Sequence, residues 1–221
     1  MPRAAQTHEE VELMRSKILD ASVKLIIEEG FSKLSMRKIA SRTGMTATNL
    51  YYYFANKDEI NIKIRQRGFQ ILYDRMLAEY KKHNSPQSRY RAIVMAFVEF
   101  GTANSDYYDV MYNLRTPKYT NYIGSKLEGT ASDEKVKSTR TMQLSIRVMA
   151  EMMGKTVEQY NEDLTYRAIV HWSNLHGIIS LYNSRVLYET VENDREILDK
   201  RVAELIEATI ASCTASRTED K

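Results

Sequence analysis

Apolar residues recur at three- and four-residue steps along most of the chain, and that spacing predicts helix after helix. Val11, Met14, Ile18, Ala21 and Leu25 fall on one face of a first helix, because residues three and four apart share a side of the α-helical cylinder. Thr7 and Glu10 have capping-box spacing, in which each side chain satisfies a free backbone N–H of the other. Gly30 ends the helix, since glycine tolerates the left-handed conformation that follows a C-terminus. Ser35 then reads as the N-cap of a helix from Met36 to Thr43 with Ile39 and Ala40 facing inward. Gly44 stops it, and Thr46 caps a third short helix on which Leu50, Tyr53 and Phe54 face in. Asn56 and Glu59 form another box-like pair that opens a fourth helix to about Lys82.

Longer helices follow. Ser85-Pro86 is a start signal, with proline tolerated at the first helical position, and Ile93, Ala96, Phe97 and Phe100 face a core. A shorter helix runs from Ser105 or Asp106 to Leu114. Arg115 to Ser132 has no clear period and reads as a loop or irregular segment. Helical pattern resumes near Asp133 and lasts to Met153, with a break at Gly154. One long helix is expected over Asn161 to Tyr188. A last helix, opened by Asn193 and Glu196, carries Ile197, Val202, Leu205 and Ile206 and gives way to a frayed tail, "TASRTEDK". The expectation is an all-α chain of about nine helices.

Composition narrows the picture. The 221 residues include only 8 Gly and 3 Pro, and 43% are hydrophobic, which suits a helical protein with a real core. No apolar run approaches the roughly 18 residues needed to span a bilayer, and the N-terminus lacks the apolar stretch of a signal peptide. The lone cysteine, Cys213, has no internal disulfide partner. A cytoplasmic setting without membrane attachment is expected. The four histidines are scattered, His171 and His176 do not share a helical face, and no catalytic pair or metal set stands out. No cofactor is expected. An all-α enzyme would need such a set, and a purely structural interaction protein would show no salt-dependent affinity for DNA.

Charge points to a polyanion. Residues 1–68 hold 12 Lys/Arg against 8 Asp/Glu, whereas the remainder holds 20 against 21. Phe31 to Lys57 contains Lys33, Arg37, Lys38, Arg42 and Lys57 and no acid, the local field that attracts phosphates. Two short helices joined by a glycine turn form a helix-turn-helix, whose second helix enters the major groove by its N-terminal end. Thr48 and Tyr52 lie on the outward face of the third helix, flanked by Asn49 and Tyr51. Arg37 is placed to reach a base edge or a phosphate. Ser35 and Lys57 sit at helix starts, where backbone N–H groups favour anions.

The stretch "ILDASVKLIIEEGFSKLSMRKIASRTGMTATNLYYYFANKDEI" closely resembles the DNA-binding domain of the TetR/AcrR family of bacterial transcription regulators. The likeness lies in the "GF" after helix one, "SMRKIA", the glycine turn, "LYYYF" and the "NK" that opens helix four. It implies a helix-turn-helix domain over 1–68 and an effector-binding and dimerisation domain over 69–221. Carried over position by position, it implies DNA contacts at Ser35, Arg37, Thr46, Ala47, Thr48, Tyr51, Tyr52 and Lys57. Two positions depart from the family pattern. Ala47 stands where relatives often carry Lys, which removes a phosphate contact, and Thr48 stands where Gly is common. The Thr48 methyl and hydroxyl are suited to a thymine or its neighbour.

"AFVEFGTANSDYYDVMYNL" and "VHWSNLHGIISLY" resemble segments of the C-terminal domain of one TetR subgroup. The implied protein is a homodimer that binds a palindromic operator in double-stranded DNA, most simply a repressor released by a small apolar or amphipathic effector. An activator and an effector-independent binder remain open. Tyr108, Met111, Tyr112, Met142, Met149, Trp172 and His176, near Tyr107, are the expected effector residues, with adaptable Met side chains among aromatics. The last two long helices are expected to pair with a second copy through Gly177, Ile197, Val202, Leu205 and Ile206.

Overall fold

The computed structural model describes residues 7–156 and 162–219, with side chains as far as 216. Ten α-helices and no strand occur among the described residues. They are α1 (His8–Glu29), α2 (Met36–Arg42), α3 (Ala47–Tyr53), α4 (Lys57–Lys82), α5 (Pro86–Ala103), α6 (Ser105–Tyr108), α7 (Glu128–Met152), α8 (Glu162–Asn183), α9 (Val186–Thr190) and α10 (Asp194–Glu219). A π-helical turn, Asp109–Asn113, continues α6, and 3-10 turns lie at Phe31–Lys33 and Tyr119–Asn121. The chain divides into two compact units. One holds Met1–Gly68 and Asp106–Val136; the other holds Phe69–Ser105 and Lys137–Lys221. The segment after α6 therefore belongs with the N-terminal helices.

In the first unit, local signals and burial agree. Thr7 and Glu10 make the capping box of α1. Gly30 and Gly44 adopt positive φ, 83° and 69°, which side chains rarely tolerate. Ile18, Ile39, Leu50, Ile60 and Ile64 are fully enclosed and join Tyr53 and Phe54 in one core. Helices as short as α2 and α3 are unstable alone; their shared buried face stabilises them. Arg67 ties α4 to α1 through Asp20 at 3.0 Å. Gly68 marks a close approach, because a Cβ there would come within 2.4 Å of the Met111 sulfur.

Arg65 lies inside the same unit, paired with Glu134 of α7 at 2.9 Å. It also donates to the Met111 carbonyl at 2.6 Å, a group left without a helical partner where the π turn ends. Burial of the pair is tolerable because the guanidinium and carboxylate satisfy one another and the carbonyl as well.

Several expectations need correction. The segment 115–132 is not simply a loop: it contains the 3-10 turn, and α7 begins at Glu128 rather than near Asp133. Ala131 is fully buried, so the first turn of α7 is held by packing that periodicity did not reveal. The expected start of a helix at Asn161 lies outside the described residues. Its expected run to Tyr188 is broken at Arg185, whose φ of 66° ends α8 and opens α9. No Gly or Pro marks that break. At the far end α10 continues to Glu219 instead of fraying from Thr214. Val202, Leu205 and Ile206, expected on a dimer surface, are buried within the chain itself. They form the inner face of α10 against α5 and α8, because one apolar stripe on a helix serves its own core first.

Candidate nucleic-acid interface

The interface is built on how α3 is held. Thr46 is its N-cap, accepting from the Asn49 N–H at 3.1 Å. Its inner side, Leu50 and Tyr53, is buried, with Phe54 just beyond. That leaves Ala47, Thr48, Asn49, Tyr51 and Tyr52 on the outside. Tyr51 is 55% exposed and Tyr52 68%. The Tyr52 ring stands edge-on to Tyr53 at 5.1 Å between centroids, so the buried tyrosine orients the exposed one. The triple tyrosine thus divides into one anchor and two outward rings.

A guanidinium from α1 fixes the far end of α3. Arg15 donates to the Tyr53 carbonyl at 2.9 Å and lies over the Phe54 ring at 5.2 Å. Sequence reasoning missed this residue, since 38 positions separate donor and acceptor and no local pattern records the bond.

Around α2 the charges sort themselves. Ser35 caps the helix, accepting from Lys38 N–H at 3.3 Å. Lys38 pairs with Glu29, and Arg42 forms a bidentate pair with Glu28 at 2.5 and 3.1 Å. The Arg42 bond holds the Glu28 carboxyl below its usual value. Two of the five cations in the acid-free stretch are therefore matched by acids from the last turn of α1. The sequence window alone overstated the field. Arg37 and Lys33 are exposed. Lys57, in the first turn of α4, holds its ammonium 5.0 Å from the centre of the Phe31 ring. At the start of α4, Asn56 accepts from Glu59 N–H at 2.9 Å, while Glu59 accepts from Ala55 N–H. The eight expected contact positions thus share one unit, on the α2–α3 hairpin and its flanking helix starts.

The expected effector residues are not gathered in one unit. Tyr108, Met111 and Tyr112 belong to the first, with Tyr108 and Met111 buried and the Tyr108 and Tyr112 rings 4.9 Å apart. Met142, Met149, Trp172 and His176 belong to the second, where Trp172 and His176 stack at 5.5 Å. The second unit has a polar cleft of about 260 Å³ lined by Thr102, Ser105, Tyr182, Asn183, Arg185 and Asp194, none of them an expected effector residue. His171 is buried beside Tyr90, with ring centroids 5.3 Å apart. Thr209 Oγ1 lies 2.9 Å from the Leu205 carbonyl and 2.8 Å from His171 Nδ1. Burial lowers the His171 pKa to about 4.

The outward positions of α8 mix large apolar residues with Ser173 and Asn174, which are exposed on the same face. Tyr166 is 67% exposed, Ile169 47%, Val170 41% and Leu181 44%. Gly177 lies on the same side, open to space. Among the described residues no helix is long and apolar enough to cross a membrane.

Comparison with known proteins places this architecture. Residues 18–62 match the bacterial regulatory proteins of the tetR family. Residues 90–216 match the tetracyclin repressor-like C-terminal domain. A fatty acid metabolism regulator protein of Bacillus subtilis is 27% identical over 78 residues, 35% of this chain and 40% of that protein. The transcriptional activator FasR of Mycolicibacterium smegmatis is 26% identical over 98 residues, 44% of this chain and 45% of that protein. The chain thus spans less than half the length of these curated relatives. Solved structures share the fold at low identity. A TetR-like regulator from Rhodococcus sp. RHA1 has a TM-score of 0.61 and 19% identity, covering 96% of this chain and 99% of its own. The fatty acid degradation regulator FadR from Bacillus halodurans has a TM-score of 0.63 and 14% identity, covering 92% and 97%. With one family domain over the helix-turn-helix and another over more than half of the sequence, the chain belongs to the tetR family of bacterial regulatory proteins.

Proposed function

We propose that the chain is a cytoplasmic transcriptional regulator that binds a palindromic operator as a homodimer. The observation that carries the reading is the outer face of α3: two exposed tyrosine rings, Thr48 and Ala47 on a helix whose other side is locked in a core. Such a face enters a major groove without a charge to desolvate, while Arg37 and Lys57 meet phosphates or a base edge. The apolar stripe on α8 supplies the dimer surface, with Gly177 permitting close approach of a second helix. Ile197, 39% exposed, extends it on α10. Paired chains set two recognition helices about one helical turn apart, as a palindrome requires.

The chain acts as a repressor that a small apolar or amphipathic effector releases from DNA. Two similar proteins named for fatty acid metabolism or degradation favour an acyl-chain effector. Differential affinity of about 1–3 kcal/mol for the two states is enough to shift operator occupancy. An activator is the second reading, favoured by the FasR relative.

The test is Arg37→Ala combined with Tyr52→Ala, measured on a duplex selected from random sequence. Loss of about 1–3 kcal/mol per contact at physiological salt is expected; undiminished binding by the double variant refutes the contact assignment. A promoter reporter, with and without a panel of acyl chains, separates repression from activation.

A further inference from the structure

The segment between α6 and α7 repeats the electrostatics of the helix-turn-helix. Asn113 to Leu127 carries Arg115, Lys118 and Lys126 and no acidic residue. It belongs to the same compact unit as α1–α3 and the first turns of α4. It is also anchored there. Tyr122 is 6% exposed and packs with Ile62 of α4 and Ala131 of α7, flanked by Tyr119 and Leu127. The Tyr122 hydroxyl donates to the Asp58 carboxylate at 3.3 Å. Asn61 Nδ2 donates to the Pro117 carbonyl at 3.2 Å.

Those anchors fix where the segment lies. Asp58 directly follows Lys57 on α4 and Asn61 lies four residues on, which at 1.5 Å per residue is only about 6 Å along the axis. The segment is therefore docked beside the helix end that offers Lys57 to a phosphate. Its turn is open: Thr120, Asn121, Gly124, Ser125 and Lys126 are exposed, as is Arg115. Of the nearby acids, Glu134 is neutralised by Arg65. Asp58 and Glu128 are held by the neutral Tyr122 hydroxyl and Gly124 N–H, which cancel no charge, and Asp133 is exposed. The cations that face out are Arg115 and Lys126. Lys118 points inward instead, donating to Thr116 Oγ1 at 2.9 Å.

We propose that Arg115 and the turn 120–126 form a second contact with the phosphate backbone of duplex DNA, continuous with the Lys57 end of α4. It adds affinity and fixes orientation without reading bases, as backbone contacts do. Charge complementarity and continuity with the α3–α4 face select DNA as the occupant. The inference rests on the DNA-binding reading above.

The experiment compares the full-length chain with Arg115→Gln/Lys126→Gln by fluorescence anisotropy, on the selected operator and on a random duplex, across a salt series. A separate Thr120→Glu variant sets a like charge against the phosphates. Expected are equal fold losses on both duplexes for the double variant. Its log–log salt slope should shrink by about 0.9 for each cation removed per bound chain. Thr120→Glu should also weaken both duplexes, with unchanged thermal midpoints, since all three side chains are exposed. Arg37→Ala/Tyr52→Ala runs alongside. If it loses operator binding while the segment variants keep wild-type affinity and slope, the second contact is refuted and the DNA reading stands. A loss confined to the operator also refutes a backbone contact. If the wild-type chain shows no salt-dependent duplex binding, both readings fall together.

Discussion

At the scale of single residues, buried polar groups decide more than their number suggests. His171 is an example. Its imidazole is enclosed, shares a hydrogen bond with Thr209 through Nδ1, and has a pKa lowered to about 4 by burial alone. A histidine in the unfolded chain titrates near 6.5. Between those values the unfolded state takes a proton that the folded state refuses, so stability falls as pH drops from 6.5 to 4. Above 6.5 both states are neutral and the penalty vanishes. The full effect is about 3 kcal/mol at 1.36 kcal/mol per pKa unit. Urea unfolding of wild type and His171→Gln at pH 7.5 and 4.5 should show a much smaller acid loss for the variant. Equal losses in the two proteins count against this account.

At the scale of elements, α3 is stable only because other elements complete it. Seven residues cannot hold a helix in water, and Thr46 caps only its beginning. Its end depends on Arg15 of α1, which satisfies the Tyr53 carbonyl. Arg15→Met keeps an apolar stem over Phe54 but removes the guanidinium hydrogen bond to the Tyr53 carbonyl, a cost of about 0.5–1.5 kcal/mol. The expected result is lower stability in urea together with weaker operator binding. The salt slope should stay unchanged, because Arg15 is not a phosphate contact. A reduced slope would instead make Arg15 a direct partner of DNA. α2 likewise depends on neighbours, through its buried Met36, Ile39 and Ala40, while its Lys38 and Arg42 are drawn back onto Glu29 and Glu28.

At the scale of the whole molecule, the proposed dimer depends on the exposed side of α8. Exposed Tyr166, Ile169, Val170 and Leu181 on one face of a helix, with Ser173 and Asn174 between them, are the kind of surface that marks association. Ile169→Glu with Val170→Glu places charges in the middle of it. The expected variant is a folded monomer by light scattering, with helicity retained and affinity for a palindrome lost while half-site binding persists weakly. A double variant that stays dimeric with full affinity puts the interface elsewhere.

Much of this protein follows from sequence without any tertiary information. Caps, glycine stops and a 3.6-residue apolar period are local, so Thr7, Gly30, Ser35, Gly44, Thr46 and Ser85 marked helix ends that the structure has. The inward and outward residues of α3 were legible for the same reason. Tertiary structure alone decided the long-range matters. Arg15 on Tyr53, Arg65 with Glu134, and Glu28 and Glu29 on the α2 cations join residues 9 to 69 positions apart. It also decided that 106–136 belongs with the first unit, and that Val202, Leu205 and Ile206 face their own core. Periodicity reports that a helix has an apolar side; only packing chooses which neighbour covers it.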